Sequence, residues 1–350
     1  MLRRIAANRW VRWLGPLVLL IVVVVAFRDQ LPFLGDGFRR LGDAAPAGVA
    51  VAVVATFLAL FAMAEVMRLL LDAGGVRVSP AHTTGLTVAS NAWSTSLPGG
   101  PAFSAVFTYQ VQRGWGASTL LRGWFLVLSS AVSTMWLVLI GLAGVFFLGA
   151  RVSVWSLLTT LAAMTALSWA VYWAANHPVR LERWVRLALP RMNRALRRPR
   201  DAGLATAVEQ IHQFHTVHLS GARFLAVAAW SLLNRLLDAF TLFACVWAVT
   251  AEVPGLESAP DRTTLMGVLL AYTTAKLAGS AQVTPGGLGT VDAVIIATLV
   301  AVGMTAVDAT GVAVVYRLIS FALATLVGWV IYFLFYAGRE TAEHPIELSP

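Results

Sequence analysis

The sequence predicts an all-α polytopic membrane protein. Six full spans and two broken, re-entrant helical hairpins are arranged as an inverted repeat. Three observations predict this class. Of 350 residues, 58% are hydrophobic and 12% charged, and the mean hydropathy is +0.75. That is too apolar for a soluble chain and fits a multi-pass membrane protein. Apolar stretches at about 13–30, 47–71, 120–149, 153–175, 223–250 and 310–337 are each long enough to cross a bilayer, which takes about 20 residues. Two further apolar regions, 82–112 and 263–303, are each interrupted by a Pro-Gly-Gly.

The first span follows Arg3, Arg4, Arg9 and Arg12 and runs from Trp13 to Phe27. It resembles a signal peptide, but Arg28, Asp29 and Gln30 follow in place of a small-residue cleavage site. It therefore reads as a retained span. The rest forms one membrane domain over 1–350, with repeat halves at about 47–149 and 223–337. A basic cytoplasmic loop at about 176–222 joins the halves.

The broken regions hold the main signal. Their arms, of about 12–20 residues, are too short to cross comfortably and hinge on Leu97-Pro98-Gly99-Gly100 and on Thr284-Pro285-Gly286-Gly287. Broken backbone at membrane depth is tolerated only against protein or a wet cavity. At one offset of 187 residues, Pro98 meets Pro285, Gly99 meets Gly286, Gly100 meets Gly287, Gly116 meets Gly303 and Gly141 meets Gly328. That register reads as an internal repeat.

Arginine sets the orientation. With the N-terminus inside, 18 arginines fall on the cytoplasmic side and 5 outside, eight of the former in the loop at 180–200. Both termini are then cytoplasmic, in the plasma (inner) membrane. The two hairpins enter from opposite faces, and their tips approach each other near the midplane. That arrangement belongs to transporters, in which broken helices line the substrate site. The N–H groups after each tip offer an anion site.

Charges inside the spans are expensive and mark partners or a wet pathway. Arg235 and Asp238 lie mid-span, Lys276 is the only lysine, Asp292 follows the second tip, and Arg317 lies in the last span. Three cations against two carboxylates leave one net positive charge for an anionic headgroup. One reading pairs Arg235 with Asp238 and Lys276 with Asp292. The other gives Lys276, Arg317 and Arg235 to a phosphate, with Asp292 and Asp238 holding them and responding to protons. In the first hairpin Asn91, Trp93, Ser94, Thr95, Ser96, Tyr109, Gln110 and Gln112 read as cavity lining. Glu65 and Arg68 read either as an interfacial ion pair or as part of the site.

Other classes find little support. The chain has no G-x-x-x-x-G-K loop, no G-x-S-x-G elbow and no H-E-x-x-H, so no catalytic residue, metal or cofactor is expected. Basic stretches interleaved with aromatics are absent, which argues against nucleic acid. The single cysteine, Cys245, reads as a buried small hydrophobe. His212, His215 and His218 step by three and drift around a helix, so they read as an interfacial helix rather than a metal site. The arginine-rich stretch 180–200 reads as a topology signal or a headgroup-binding loop.

The run TPGGLGTVDAVIIATLVAVGMTAVDATGVAVVYRLISFALATLVGW resembles the C-terminal signature of the flippase-like transmembrane region of lysylphosphatidylglycerol synthases. The matching features are Pro285, Gly286, Gly287 and Gly289, the acidic Asp292, Gly303, and Tyr316 with Arg317. The family's usual glutamate stands here as Asp292. The segments with Glu65 and Arg68 and with Asn91 are similar to its N-terminal part, and the likeness covers about 15–337. It implies a stand-alone translocator, without a synthase domain, that moves an anionic phospholipid, glycolipid or lipid-linked precursor between leaflets. Expected partners are membrane lipids, and a separate lipid synthase or a second copy of the chain. The alternatives are a non-catalytic partner of such a synthase, an integral-membrane transferase acting on a lipid carrier, and a small-solute or ion transporter.

Overall fold

A computed structural model describes residues 42–147, 220–257, 259–280 and 284–337, with Leu187 and Pro190. The described residues are helical, without a strand. Four helices are long and apolar enough to span a membrane: Pro46–Ala73, Thr119–Gly144, Gly221–Thr250 and Ala306–Phe335. They coincide with four of the six expected spans. The expected spans at 13–30 and 153–175, the basic loop at 180–200 and the three histidines lie outside the described residues, apart from Leu187 and Pro190. Their arginines leave the topology count untested.

Helix α1 (Pro46–Ala73) starts with proline at its first position, where the missing N–H costs nothing. Helix α2 (Pro80–Ser96) is capped by Ser79, whose hydroxyl accepts from the His82 N–H. It stops because Leu97, before Pro98, is held extended (φ −116, ψ 144). Gly99 then takes a left-handed conformation (φ 65) that turns the chain into α3 (Gly100–Gly114). A Cβ on Gly100 would overlap the Ser94 carbonyl, so the turn closes only with glycine there. A buried Ser90–Thr108 hydroxyl contact of 2.8 Å ties the two arms together. Helix α4 (Thr119–Phe147) follows.

The second half repeats this order. Helix α5 (Gly221–Thr250) is capped by Ser220, and α6 (Leu265–Gly279) by Thr264. A single turn, Pro285–Gly287, carries Gly286 at φ 55, close to its counterpart Gly99. Helix α7 (Thr290–Ala301) returns from the tip. The last span comprises α8 (Ala306–Tyr316), a π-helical segment (Arg317–Leu323) and α9 (Ala324–Phe335).

Helices α1 and α5 form the central pair and run antiparallel. Gly48 abuts Ala248, where an added Cβ would lie 2.7 Å from backbone. Thr56 and Thr241 hydroxyls meet at 3.3 Å, Asn234 donates to the Ala59 carbonyl at 2.8 Å, and Arg223 reaches Asp72 at 3.4 Å. Alanines at 52, 55, 59 and 62 are buried, and small residues of this kind let membrane helices approach closely.

One core cluster gathers Ala52, Leu242, Tyr272, Ile295, Val312 and Tyr316 around the second hairpin. The other gathers Leu70, Leu86, Trp115, Leu121 and Val227 around the first. Because α1 and α5 are antiparallel, the two clusters occupy opposite ends of that pair. The outer spans cross over. Gly141 of α4 seats Thr273 of α6, and Gly328 of α9 seats Val88 and Ala92 of α2. The two glycines matched at offset 187 therefore make equivalent contacts, each with the first arm of the opposite hairpin.

Candidate functional site

The second tip is held from behind by the last span. Arg317, only 6% exposed, donates from Nη1 to the Gly286 carbonyl at 2.8 Å and from Nη2 to the Gly287 carbonyl at 3.0 Å. Its Nε faces Asp292 Oδ1. Asp292 lies in the first turn of α7, and its Oδ2 accepts the Gly289 N–H at 2.9 Å, which suits a negative charge at a helix N-terminus. Pro285 and Gly287 are buried in this turn. Arg317 thus satisfies carbonyls that the glycine turn leaves open. Phe321, one turn further on, packs where a Cβ on Gly286 would lie 2.5 Å from its ring. That same Cβ would be 3.3 Å from the Thr95 carbonyl, so the second tip rests against the last turn of α2, beside the first tip.

The first tip has a different anchor. The Trp329 indole N–H donates to Ser96 Oγ at 2.8 Å, and Thr95 Oγ1 meets Thr325 Oγ1 at 2.7 Å. Pro98 and Gly99 stay exposed while Gly100 is buried. Asn91 is half-buried, one turn above Thr95, which donates to its carbonyl at 2.8 Å. Gln112 is fully buried, and neither of its amide atoms has a partner among the described residues.

A second charged group lies between α5 and α6. Lys276 Nζ is 2.6 Å from Asp238 Oδ2, and the buried Tyr272 hydroxyl donates to that oxygen at 3.1 Å. Among the described residues Arg235 makes a single bond, from Nε to the Ser133 carbonyl on α4 at 3.3 Å. The expected pairs are therefore replaced by others. Asp238 takes Lys276 rather than Arg235, and Asp292 takes Arg317 rather than Lys276. An arginine N-terminal to an acid on the same helix is the weaker orientation for pairing, and Lys276 reaches across from the neighbouring helix. Asp292 is turned back onto its own helix start, which aims its free oxygen at the last span.

Helix faces explain what these charges meet. On α5, Leu233, Leu236 and Phe240 are exposed and define the outward face. Arg235 and Asp238 lie opposite, on the side of buried Ala239 and Leu242. Even so, Asp238 stays 20% and Lys276 34% exposed. Tyr316, expected at the site, is buried in the core beside Tyr272.

Glu65 and Arg68 form their own ion pair at 2.7 Å near the cytoplasmic end expected for α1. Among the described residues they form no hydrogen bond or ion pair with the group around Lys276. Glu65 is buried and its second oxygen has no partner there. Sequence reasoning missed Tyr272, Phe321, Thr325 and Trp329. A signal existed for the first two: each lies four residues from a charged residue, on the same helical face.

The described architecture is that of an all-helical, multi-pass membrane protein with shorter apolar helices between its spans. A family model described as "Lysylphosphatidylglycerol synthase TM region" matches residues 12–328, and the chain belongs to that family. It is thus a membrane protein of a family associated with lipid handling. No curated protein matches the chain at a significant level.

Proposed function

We propose that the chain moves lipids between leaflets, taking a phosphate-bearing headgroup through the interior while the acyl chains stay in the bilayer. It performs no covalent chemistry in this reading. The observation that carries it is the placing of Arg235, Asp238 and Lys276. They are charged groups within α5 and α6 that stay partly accessible, in a molecule whose second hairpin tip rests against the last turn of α2. Charge at membrane depth is kept for a pathway or a substrate.

The halves act as an inverted repeat. The antiparallel α1–α5 pair, core clusters at its opposite ends and the crossed Gly141 and Gly328 contacts all support that. The hairpins are then re-entrant from opposite faces, and the two remaining sequence-expected spans complete six, with both termini cytoplasmic in the plasma membrane. Arg317 and Asp292 shape the second tip, and Lys276 with Asp238 supplies a further polar group between α5 and α6. Asn91, Pro98, Gly99 and Gly100 face the path from the first hairpin. A separate lipid synthase or a second copy of the chain is the expected partner.

The test is leaflet exchange in vesicles. Purified protein is reconstituted with fluorescent phosphatidylglycerol, and the outer-leaflet label is quenched with a membrane-impermeant reductant. Quenching should pass well beyond the half reached in protein-free vesicles. Quenching that stops at that half, with correctly inserted protein, overturns the reading.

A further inference from the structure

Among the described charges of α5, α6, α7 and the last span's Arg317, the ion pairing leaves one cation over. Asp238 takes Lys276, and Asp292 takes Arg317. Arg235 lies at the middle of the α5 span and has no acidic partner among the described residues. Its only bond there uses Nε, so both terminal nitrogens are unengaged among those residues. The side chain leaves α5 on the face away from exposed Leu233, Leu236 and Phe240, and it is only half-buried. An uncompensated guanidinium at that depth is costly unless water or an anion meets it.

We infer that Arg235 is the receptor for a phosphate oxyanion, and that Lys276 and Arg317, each already neutralised, are not. The inference rests on the lipid-transport reading and deepens it. The planar guanidinium offers parallel N–H groups that fit two phosphate oxygens at once, which an ammonium cannot. The single surplus charge matches a phosphodiester monoanion. The Lys276–Asp238 pair and the Tyr272 hydroxyl, one turn further along α5, flank the position.

The experiment uses the detergent-purified full chain and follows tryptophan fluorescence. The probes are dioctanoyl-phosphatidylglycerol, dioctanoylglycerol, which lacks phosphate, and inorganic phosphate as competitor. The wild type should bind the phospholipid and not dioctanoylglycerol. Arg235→Gln should weaken binding about ten- to a hundredfold, as loss of charged hydrogen bonds does. Arg235→Lys, which keeps the charge without the fork, should fall between and serves if the glutamine variant does not fold. Competition by inorganic phosphate assigns a free-anion site. Its failure to compete assigns a site that needs the lipid. Either result supports the oxyanion receptor.

Equal phospholipid binding by wild type and a folded Arg235→Gln overturns the inference, as does wild type that binds neither phosphate probe. Leaflet exchange separates the two claims. Exchange at wild-type rate in Arg235→Gln removes the receptor and keeps the transporter. Arg235-dependent binding without exchange does the reverse.

Discussion

Arg317 shows how one side chain sets a local fold. Three of its nitrogens reach Asp292 and the Gly286 and Gly287 carbonyls, and it is almost fully buried. Removing it strands a carboxylate and two carbonyls. Arg317→Gln should cost about 3 kcal/mol, the lower end for breaking a buried pair because Asp292 is 26% exposed. Thermal unfolding in detergent measures this, and loss of less than about 1 kcal/mol would contradict the clamp. The sequence makes Arg317 conspicuous as an intramembrane charge, but not what it holds. Charge count alone allows Lys276 to pair with either acid. Choosing between them needs the distance across two helices, which spacing along the chain does not encode. The hairpin tips are legible for the opposite reason, since proline and glycine act on their own backbone.

At the scale of elements, contact between helices depends on missing side chains. Gly328 lets α9 seat against the Val88 carbonyl on α2, and Gly141 does the same for α4 on α6. Gly123, in α4, has nothing within 4 Å of an added Cβ. Gly328→Val should therefore push α9 off α2 and lower stability by about 1–3 kcal/mol, as overpacking does. Gly123→Ala should be neutral or stabilising by up to about 1 kcal/mol. Equal melting temperatures for the two variants would mean that the α9–α2 contact is not tight. The matched glycines at offset 187 were readable as a register. Their crossed contacts were not, because a register says which positions correspond and not which helices touch.

At the scale of the molecule, the proposed lipid transport requires the halves to shift against each other. The last span joins them. Its first part clamps the second tip through Arg317, and its final part holds the first hairpin through Thr325, Gly328 and Trp329. The Thr95 and Thr325 hydroxyls are 2.7 Å apart, and Cys245, the only native cysteine, is buried. A Thr95→Cys, Thr325→Cys double variant should form a disulfide on oxidation and stop leaflet exchange, with recovery on reduction. Undiminished exchange in the fully oxidised protein would show that this contact does not move during transport. The four described spans and both broken regions were legible from hydropathy. The central α1–α5 pair was not, because its alanines carry no periodic polar signal.

The π-helical segment gives the last span one further property. In a π-turn the bonds run from i to i+5, so the turn holds more residues than an α-turn. A single surplus residue advances the face of everything after it by about 100°. The segment thus works as a phase shifter. It lets one continuous rod present Arg317 to one hairpin and Gly328 to the other, although an unbroken α-helix would carry those contacts at a different azimuth. Shortening Arg317–Leu323 by one residue would leave a straighter, more regular rod, with Trp329 rotated out of reach of Ser96.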